Sequence, residues 1–464
     1  MFGVFINAWK IADLRKKILF TIFIIVIFRL GSHIFVPFIS PGAMASLMGL
    51  GGAGDGTLMD FFNSITGGGL GRGALFAMSI TPYINASIIV QLLTVAIPAL
   101  ERIQKEGEEG QKKINKIVKF LALGIGLFQA TAFYFALNSA HSASVAEGGV
   151  EVLTHTEGLG GFLAMITIIG CFTAGASLII WLGEQITDRG IGNGISMILF
   201  AGIISSMPSE IFNLFKQSEL GMLETILAPL TLLIYIAMIG FVVLMTNAER
   251  RIPVQYAKRQ VGRKMYGGQS SHIPIKVSMS GVMPIIFAMS IMSLPQTILH
   301  FFGINIQSLA AKGGDLTKME RFWQGFLNTF NMSSWIYAFF YFLLIIGFNY
   351  FYVATQYNPV EIANNLKKNN GAIPGYRPGK PTSDFINNSL SKITFIGAIF
   401  LGIVAVFPIA FTKITGYVGA NGGQGMVGLS LGGTTILIVV SVALETMRTL
   451  ESQMMMRHHK GFLE

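Results

Sequence analysis

Long apolar stretches separated by short polar segments recur along the whole chain. A helix needs about 20 predominantly apolar residues to cross about 30 Å of hydrocarbon. The pattern therefore predicts an all-α polytopic membrane protein with ten transmembrane helices. The ten apolar stretches are residues 18–39, 74–98, 117–137, 159–182, 191–214, 226–246, 279–302, 335–355, 393–412 and 427–446.

The composition argues against a soluble enzyme. Of the 464 residues, 52% are hydrophobic and only 12% are charged, whereas a soluble domain carries about 25% charged residues. Cys171 is the single cysteine, which excludes a disulfide framework and a cysteine-based zinc site. The seven histidines show no metal-ligand spacing, and we expect no cofactor.

Basic residues are concentrated in alternate loops. Both termini together with loops 99–116, 183–190, 247–278 and 356–392, counted with Lys119 and Glu445 at the adjoining span ends, hold 26 of the 33 basic and 13 of the 23 acidic residues, a net charge of +13. The other side holds 7 basic and 10 acidic residues, a net charge of −3. Because positive loops stay on the cytoplasmic side, both termini are predicted to be cytoplasmic.

Two of the basic loops, 247–278 and 356–392, are longer than a simple connection needs. One interpretation is that their charge only fixes the orientation and contacts anionic lipid. The other is a cytosolic docking platform for an acidic partner or RNA. The basic residues are Arg250, Arg251, Lys258, Arg259, Arg263, Lys264 and Lys276 in the first loop, and Lys367, Lys368, Arg377, Lys380 and Lys392 in the second.

A short helix-like segment, residues 58–66, precedes the second span and is followed by glycine-rich residues 67–73. The segment is far too short to cross a bilayer, and the glycines permit the chain to fold back. These features predict a re-entrant half-helix, and a mobile outer loop is the alternative.

Two spans show weak sequence similarity to each other. Residues 79–88 and 281–290 align with Pro, Ile and Ala at matching places, which makes Pro82 equivalent to Pro284. Because proline removes a backbone hydrogen bond, each is expected to kink its helix. Two halves of five spans run in opposite directions, so we predict an inverted repeat of residues 1–220 and 221–464, with these two spans at the seam between the halves.

The predicted spans carry no Asp or Glu near their centres. Arg29 and His33 lie one or two turns from the outer end of the first span, where snorkelling would satisfy them. An apolar midplane favours a pore closed by a hydrophobic constriction. An inverted-repeat secondary transporter of a small solute and an intramembrane enzyme remain alternatives.

Several segments together resemble one family. The segment 181–196 (WLGEQITDRGIGNGIS) resembles the central signature of the SecY family of protein-conducting channels, and the similarity runs from about residue 8 to about 461. The further segments are 81–84 (TPYI), 256–260 (YAKRQ), 358–359 (NP) with 365–368 (NLKK), and 374–379 (PGYRPG).

The resemblance implies a clamshell of two five-helix halves around an hourglass pore, which passes unfolded secretory proteins and releases transmembrane segments into lipid. A plug would fill the outer cavity, and a lateral gate would form between spans two and seven. The residues implied are, for the pore ring, Ile80, Ile84, Ile195, Leu199, Ile286 and Ile438; for the plug, within about 58–73, Phe61, Phe62, Asn63, Ile65, Thr66, Gly67 and Gly68; and for the gate, Pro82, Ser87, Gln91, Val282 and Pro284.

The resemblance also implies partners. SecE and SecG would be subunits of the complex, and the SecA ATPase and the translating ribosome would bind the platform, with Arg377 coupling the motor. Signal peptides, nascent or precursor polypeptides, SecDF, YidC and membrane lipid complete the expected partners. The chain itself would be a passive channel, not an enzyme, in the bacterial plasma (inner) membrane, and ATP hydrolysis would be supplied by SecA.

Overall fold

The structure is a computed structural model of the chain. It describes residues 2–40, 63–146, 152–154, 158–217, 222–256, 259–261, 264–266, 270–301, 318–329, 334–418 and 433–460.

Helices dominate the described residues, and the five strands are short. The helices are α1 (Phe2–Lys10), α2 (Ala12–Gly31), α3 (Thr81–Ala96), α4 (Pro98–Lys105), α5 (Glu108–Ala146), α6 (Gly158–Arg189), α7 (Gly194–Gln217), α8 (Met222–Asn247), α9 (Met283–Phe301), α10 (Lys318–Thr329), α11 (Trp335–Gln356), α12 (Pro359–Lys368), α13 (Lys380–Val418) and α14 (Gly433–Lys460). The strands are β1 (Glu249–Tyr256), β2 (Arg259–Val261), β3 (Lys264–Tyr266), β4 (Ser270–Lys276) and β5 (Gly371–Ala372).

Each of the ten predicted spans overlaps a helix, namely α2, α3, α5, α6, α7, α8, α9, α11, α13 and α14. Among the described residues, five helical segments are long and apolar enough to cross a membrane by themselves, namely Glu108–Asn138, Gly158–Arg189, Pro229–Asn247, Trp335–Lys368 (α11 with α12) and Lys380–Phe411. The pair α3 and α4, bent by 102°, counts as a sixth span if taken together. The prediction of an all-α polytopic membrane protein is confirmed.

The main apolar core lies where nine of these helices meet. Buried side chains of α2, α6, α7, α8, α9, α11, α13 and α14 pack there, and α3 adds the half-buried Tyr83 and Ile84. Outward-facing side chains such as Phe339 and Leu233 are about two-thirds exposed, as expected where lipid replaces water around a helix bundle. The boundary predicted between the two halves, at residue 220, lies outside the described residues.

A small antiparallel sheet, which the sequence pattern does not predict, joins the two long basic loops. β1 pairs with β4 from Glu249 opposite Lys276 to Gln255 opposite Ser270. β1 also pairs with β5, placing Tyr256 opposite Gly371. The loops 247–278 and 356–392 therefore form one structural unit. Its own apolar core consists of Ile252, Val254, Ile275, Leu366, Ile373, Ile386, Leu390 and Ile393.

Candidate pore, gate and plug

All six predicted ring residues belong to the main apolar core. Ile80, Leu199 and Ile438 are at most 4% exposed, and Ile84, Ile195 and Ile286 are half-buried against the same cluster. Ile80 caps α3, Ile286 lies on α9 and Ile438 on α14, while Ile195 and Leu199 are one turn apart on α7. The four helices α3, α7, α9 and α14 thus contribute these aliphatic side chains to one apolar cluster. That they form a closed ring, which would offer an ion no replacement for its hydration shell, stays a prediction.

The signature segment 181–196 contains the end of α6, the tight connection at residues 190–193 and the first turn of α7. An added Cβ on Gly194 would lie 1.8 Å from the Gly183 carbonyl oxygen, so the two helices approach more closely than any side chain permits. The Asn193 Oδ1 accepts hydrogen bonds from the backbone N–H groups of Ile195 and Ser196, at 3.1 and 3.4 Å. This connection fixes the first turn of α7, and with it the ring residue Ile195.

The two predicted gate helices begin in the same way. Ser79 has φ 48° and Gly281 has φ 60°, and each left-handed residue stands three positions before the matching proline. The prediction of kinks at Pro82 and Pro284 is wrong, because both lie in the first turn of their helices, where no backbone N–H bond is lost. The matched starts nevertheless agree with an internal repeat.

Helix α9 packs against both α3 and α5, so the two predicted gate helices are neighbours. Of the predicted gate residues, Pro82 and Pro284 are buried, and Ser87, Gln91 and Val282 are half-buried. Val282 packs on the main core. The assignment of individual gate side chains stays a prediction.

The carboxyl end of the predicted plug forms a compact turn. Phe61 and Phe62 lie outside the described residues. The Asn63 Oδ1 accepts a hydrogen bond of 2.9 Å from the Gly71 N–H, and the Asn63 carbonyl accepts one of 2.8 Å from the Gly68 N–H. Gly67 and Gly68 have φ values of 65° and 83°, which glycine adopts without steric cost. Ile65 and Thr66 are buried, so this end of the segment packs inside the bundle.

Two helices hold this turn. The Arg29 Nη1 of α2 donates a hydrogen bond of 3.1 Å to the Gly67 carbonyl oxygen. On α7, an added Cβ at Gly202 would lie 1.9 Å from the Ile65 carbonyl oxygen. The expectation that Arg29 snorkels toward the interface is therefore wrong, because its guanidinium reaches the plug. A costly cation near the end of an apolar span is the signal that identifies such a residue.

His33 extends the contact between α2 and the glycine-rich segment. Its Nδ1 lies 2.9 Å from the Arg29 carbonyl oxygen, and its Nε2 lies 2.7 Å from the Arg72 Nη1. Neither Gly202 nor the His33–Arg72 contact was identified from the sequence, since both depend on segments distant along the chain.

The predicted docking platform has exposed basic side chains on the joined loops. Arg250 and Arg251 lie on β1, and Arg377 lies in the turn before α13, all three exposed. Arg259 and Lys264 lie on β2 and β3, while Lys258 and Arg263 are outside the described residues. The Thr382 hydroxyl donates a 2.8 Å hydrogen bond to the Arg377 carbonyl, which anchors that turn.

Charges on the platform influence one another. The Arg251 Nε donates a 2.7 Å hydrogen bond to Glu249, and this contact lowers the pKa of the Glu249 carboxyl. Partial burial, followed by the nearby positive charge of Arg448, lowers the pKa of Lys276. The platform retains a net positive surface that suits an acidic partner.

Among the described residues, no three His, Cys, Asp or Glu side chains gather as a metal site. Near the carboxyl end of α3, the Thr94 hydroxyl donates a hydrogen bond of 2.7 Å to the Gln91 carbonyl oxygen.

Comparisons with solved structures agree with this architecture. A structure described as a protein-conducting channel superimposes with a TM-score of 0.61 and 19% identity, covering 94% of this chain and 92% of that one. The Sec61 channel from a canine ribosome–channel complex of the endoplasmic reticulum gives a TM-score of 0.57 at 18% identity, with the same coverage. At these identities the likeness shows the fold, which is that of the SecY and Sec61 channels.

Sequence comparisons identify the family. The SecY family profile matches residues 74–447. The chain is 39% identical to the protein translocase subunit SecY of Streptomyces coelicolor and 38% identical to that of Mycobacterium bovis, over the full length of both proteins in each case. The chain therefore belongs to the SecY family.

Proposed function

We propose that the chain is the channel-forming subunit of a protein translocase. It passes unfolded secretory proteins across the membrane and releases transmembrane segments into lipid between α3 and α9. The observation that carries the proposal is that six aliphatic residues from four helices belong to one apolar cluster, beside a glycine-rich turn held by α2 and α7. Family membership supports a protein channel over a secondary transporter of small solutes.

The aliphatic ring suits a polypeptide substrate. Side chains of Ile and Leu carry no hydrogen-bonding group, so the ring binds no particular residue of a passing chain. It closes through contacts that are individually weak and do not depend on direction. The plug adds a second closure: the glycine-rich turn at residues 66–73 packs between α2 and α7, next to the core that contains the ring. One of the solved relatives is a SecY protein whose plug domain stabilises the closed state and maintains a membrane seal.

The lateral gate is assigned to α3 and α9, which are in contact. Their matched left-handed starts support the division into halves of residues 1–220 and 221–464. An apolar signal or transmembrane segment would leave the pore between these helices, because its side chains are more stable in lipid than in an aqueous pore.

The proposed channel is passive and takes its energy from a partner. SecA would hydrolyse the ATP, and SecE and SecG would complete the complex. The exposed Arg250, Arg251 and Arg377 support electrostatic binding of SecA or a translating ribosome. Solved relatives include the canine Sec61 channel and a yeast Ssh1 complex bound to ribosomes. SecDF, YidC, signal peptides and lipid are further proposed partners.

The chain is a multi-pass membrane protein, as its apolar helices and its relatives indicate. We assign it to the bacterial inner membrane with both termini cytoplasmic. The net charge of +13 on the platform side supports this orientation.

A reconstituted transport assay tests the proposal. The full chain is placed in lipid vesicles with SecE and SecG, and SecA, ATP and an unfolded precursor with its signal peptide are added outside. We expect the precursor to become protected from protease only when ATP and the signal peptide are both present. Lack of protection, in an assay where a reference translocase protects the same precursor, contradicts the proposal.

A further inference from the structure

The connector between the platform and the gate helix α9 is held along its first half. The Val277 N–H donates a 2.9 Å hydrogen bond to the Ala248 carbonyl, which extends the β1–β4 contact. On α13, an added Cβ at Gly397 would lie 2.4 Å from the Val277 carbonyl oxygen. The connector backbone therefore lies directly against α13, where a larger residue would displace it.

A buried polar bridge holds the end of the same connector. The Ser280 hydroxyl donates a hydrogen bond to the Asn349 Oδ1 of α11. The Asn349 Nδ2 in turn donates a 2.8 Å hydrogen bond to the Thr394 carbonyl of α13. Ser280, Asn349 and Thr394 are each at most 4% exposed. Because an unpaired polar group in such surroundings is costly, this bridge defines one favoured position for Ser280.

The residue after the bridge is free to change its conformation. Gly281 has φ 60°, and an added Cβ there would meet nothing within 4 Å. Glycine moves between left-handed and right-handed backbone conformations at little cost. The chain thus passes from a fixed residue, through one adaptable residue, into the first turn of α9. Such an arrangement is typical of a hinge.

We propose that Asn349 is a positioning residue for the gate: by fixing Ser280, it holds the base of α9 in the closed arrangement, and α9 moves about Gly281 when the gate opens. The inference rests on the proposed function, in which α3 and α9 separate. Loss of the bridge would leave the base of α9 less constrained and increase the open population.

The other gate helix begins without an equivalent bridge. Ser79 corresponds to Gly281, so Met78 stands where Ser280 stands in the second half. A methionine thioether donates no hydrogen bond. Ser79 itself has φ 48°, and its buried hydroxyl has no hydrogen-bond partner among the described residues. The side-chain bridge is therefore a property of α9, which makes α9 the helix whose position Asn349 sets.

Spin labels on the two gate helices test the proposal. They are placed at Leu93 of α3 and Leu294 of α9, which are both exposed, in a Cys171→Ala background. The full chain is reconstituted in vesicles, and the distance distribution between the labels gives the open and closed populations. We expect Ser280→Ala to raise the open-to-closed ratio about fivefold, the effect of one net hydrogen bond. Asn349→Leu also removes the hydrogen bond to the Thr394 carbonyl and should raise the ratio at least as much.

The double variant separates positioning from general damage. If both residues act through one bridge, Ser280→Ala combined with Asn349→Leu shifts the ratio no further than the stronger single variant. Thr394→Val is the matched control, since it removes a buried hydroxyl at the same place that has no hydrogen-bond partner among the described residues. We expect it to leave the distribution unchanged. Ser280→Ala removes only one hydroxyl and decides the question if Asn349→Leu does not fold.

Unchanged distances in folded Ser280→Ala protein, or fully additive effects in the double variant, would overturn the proposal. Precursor transport by the unlabelled parent chain is measured in vesicles prepared in the same way, with its partner subunits and SecA. Active transport combined with unchanged distances rejects only the role of Asn349. Absence of transport by the parent chain instead rejects the proposed function on which that role rests.

Discussion

Gly202→Ala is expected to unseat the plug and open the channel to ions. The added Cβ would lie 1.9 Å from the Ile65 carbonyl oxygen, whereas carbon and oxygen atoms in contact are about 3.3 Å apart or more. The plug turn must therefore move by about 1.4 Å. Alanine is also a better helix former than glycine by about 1 kcal/mol, so α7 stays helical and the strain falls on the plug.

The size of the effect follows from this overlap. Inserting a methyl group into a packed site costs about 1–3 kcal/mol. A difference of 1.4 kcal/mol is about tenfold in an equilibrium, so the ratio of seated to unseated plug should fall by about five- to 150-fold. Because the seated plug closes the outer cavity in our account, the same factor should appear in the ratio of closed to open channels.

Single-channel ion conductance in planar bilayers measures this ratio. Gly124→Ala is the matched control, since it makes the same change on α5, where an added Cβ meets nothing within 4 Å. We expect Gly202→Ala channels to open frequently and Gly124→Ala channels to behave like the parent. Gly202→Ala channels that stay as closed as the control would refute the account of how the plug is held.

Three further variants test other parts of the account. Ile84→Asp places a carboxylate in the apolar cluster, and the cost of burying that charge should raise the resting ion conductance about tenfold or more; an unchanged conductance counts against the assigned ring. Arg29→Met removes the hydrogen bond to Gly67 and should raise the open probability about tenfold, the value of a charged hydrogen bond. An open probability equal to that of the parent channel would show that this bond does not hold the plug. Arg377→Glu should lower SecA-driven export about tenfold without changing the thermal unfolding temperature. Lys367→Glu makes the same charge change on the same platform and should lower export less. If both variants lose the same amount of export, Arg377 contributes only its charge.

The sequence predicts the spans well because their length and apolarity are local properties. The limits of the second span are an instructive exception. It was predicted from residue 74, but α3 begins at Thr81. Residues 74–80 are as apolar as a membrane-spanning helix. The Ala74 N–H nevertheless donates a hydrogen bond to the Gly69 carbonyl, and Ser79 adopts a left-handed conformation. Hydropathy does not distinguish such packed turns from helix.

The kinks predicted at the two prolines are absent for a related reason. Pro82 and Pro284 each lie inside a long apolar run, where a kink is the usual expectation. The left-handed Ser79 and Gly281 instead end the preceding segment, so each proline falls in the first helical turn. Only the backbone conformation three residues earlier separates the two outcomes.

Contacts between distant segments were beyond sequence reasoning. β1 contains Pro253, which argues against a strand, and its partner β5 is more than a hundred residues away. The Arg29–Gly67 hydrogen bond joins residues 38 positions apart. The aliphatic ring is a different case, because each member is an ordinary apolar residue. Only the family resemblance selected these six, and the structure places them in one cluster.

Site-specific photo-crosslinking tests the central claim, that a polypeptide passes through the aliphatic ring. A photoreactive residue replaces Ile286 in the reconstituted complex, and the matched control replaces Phe339, which is 64% exposed on the outside of α11. A secretory precursor is then stalled during ATP-driven transport. Our account predicts a crosslink from position 286 that requires ATP and the signal peptide, and none from position 339. Transport of the precursor without any crosslink from position 286 would contradict it.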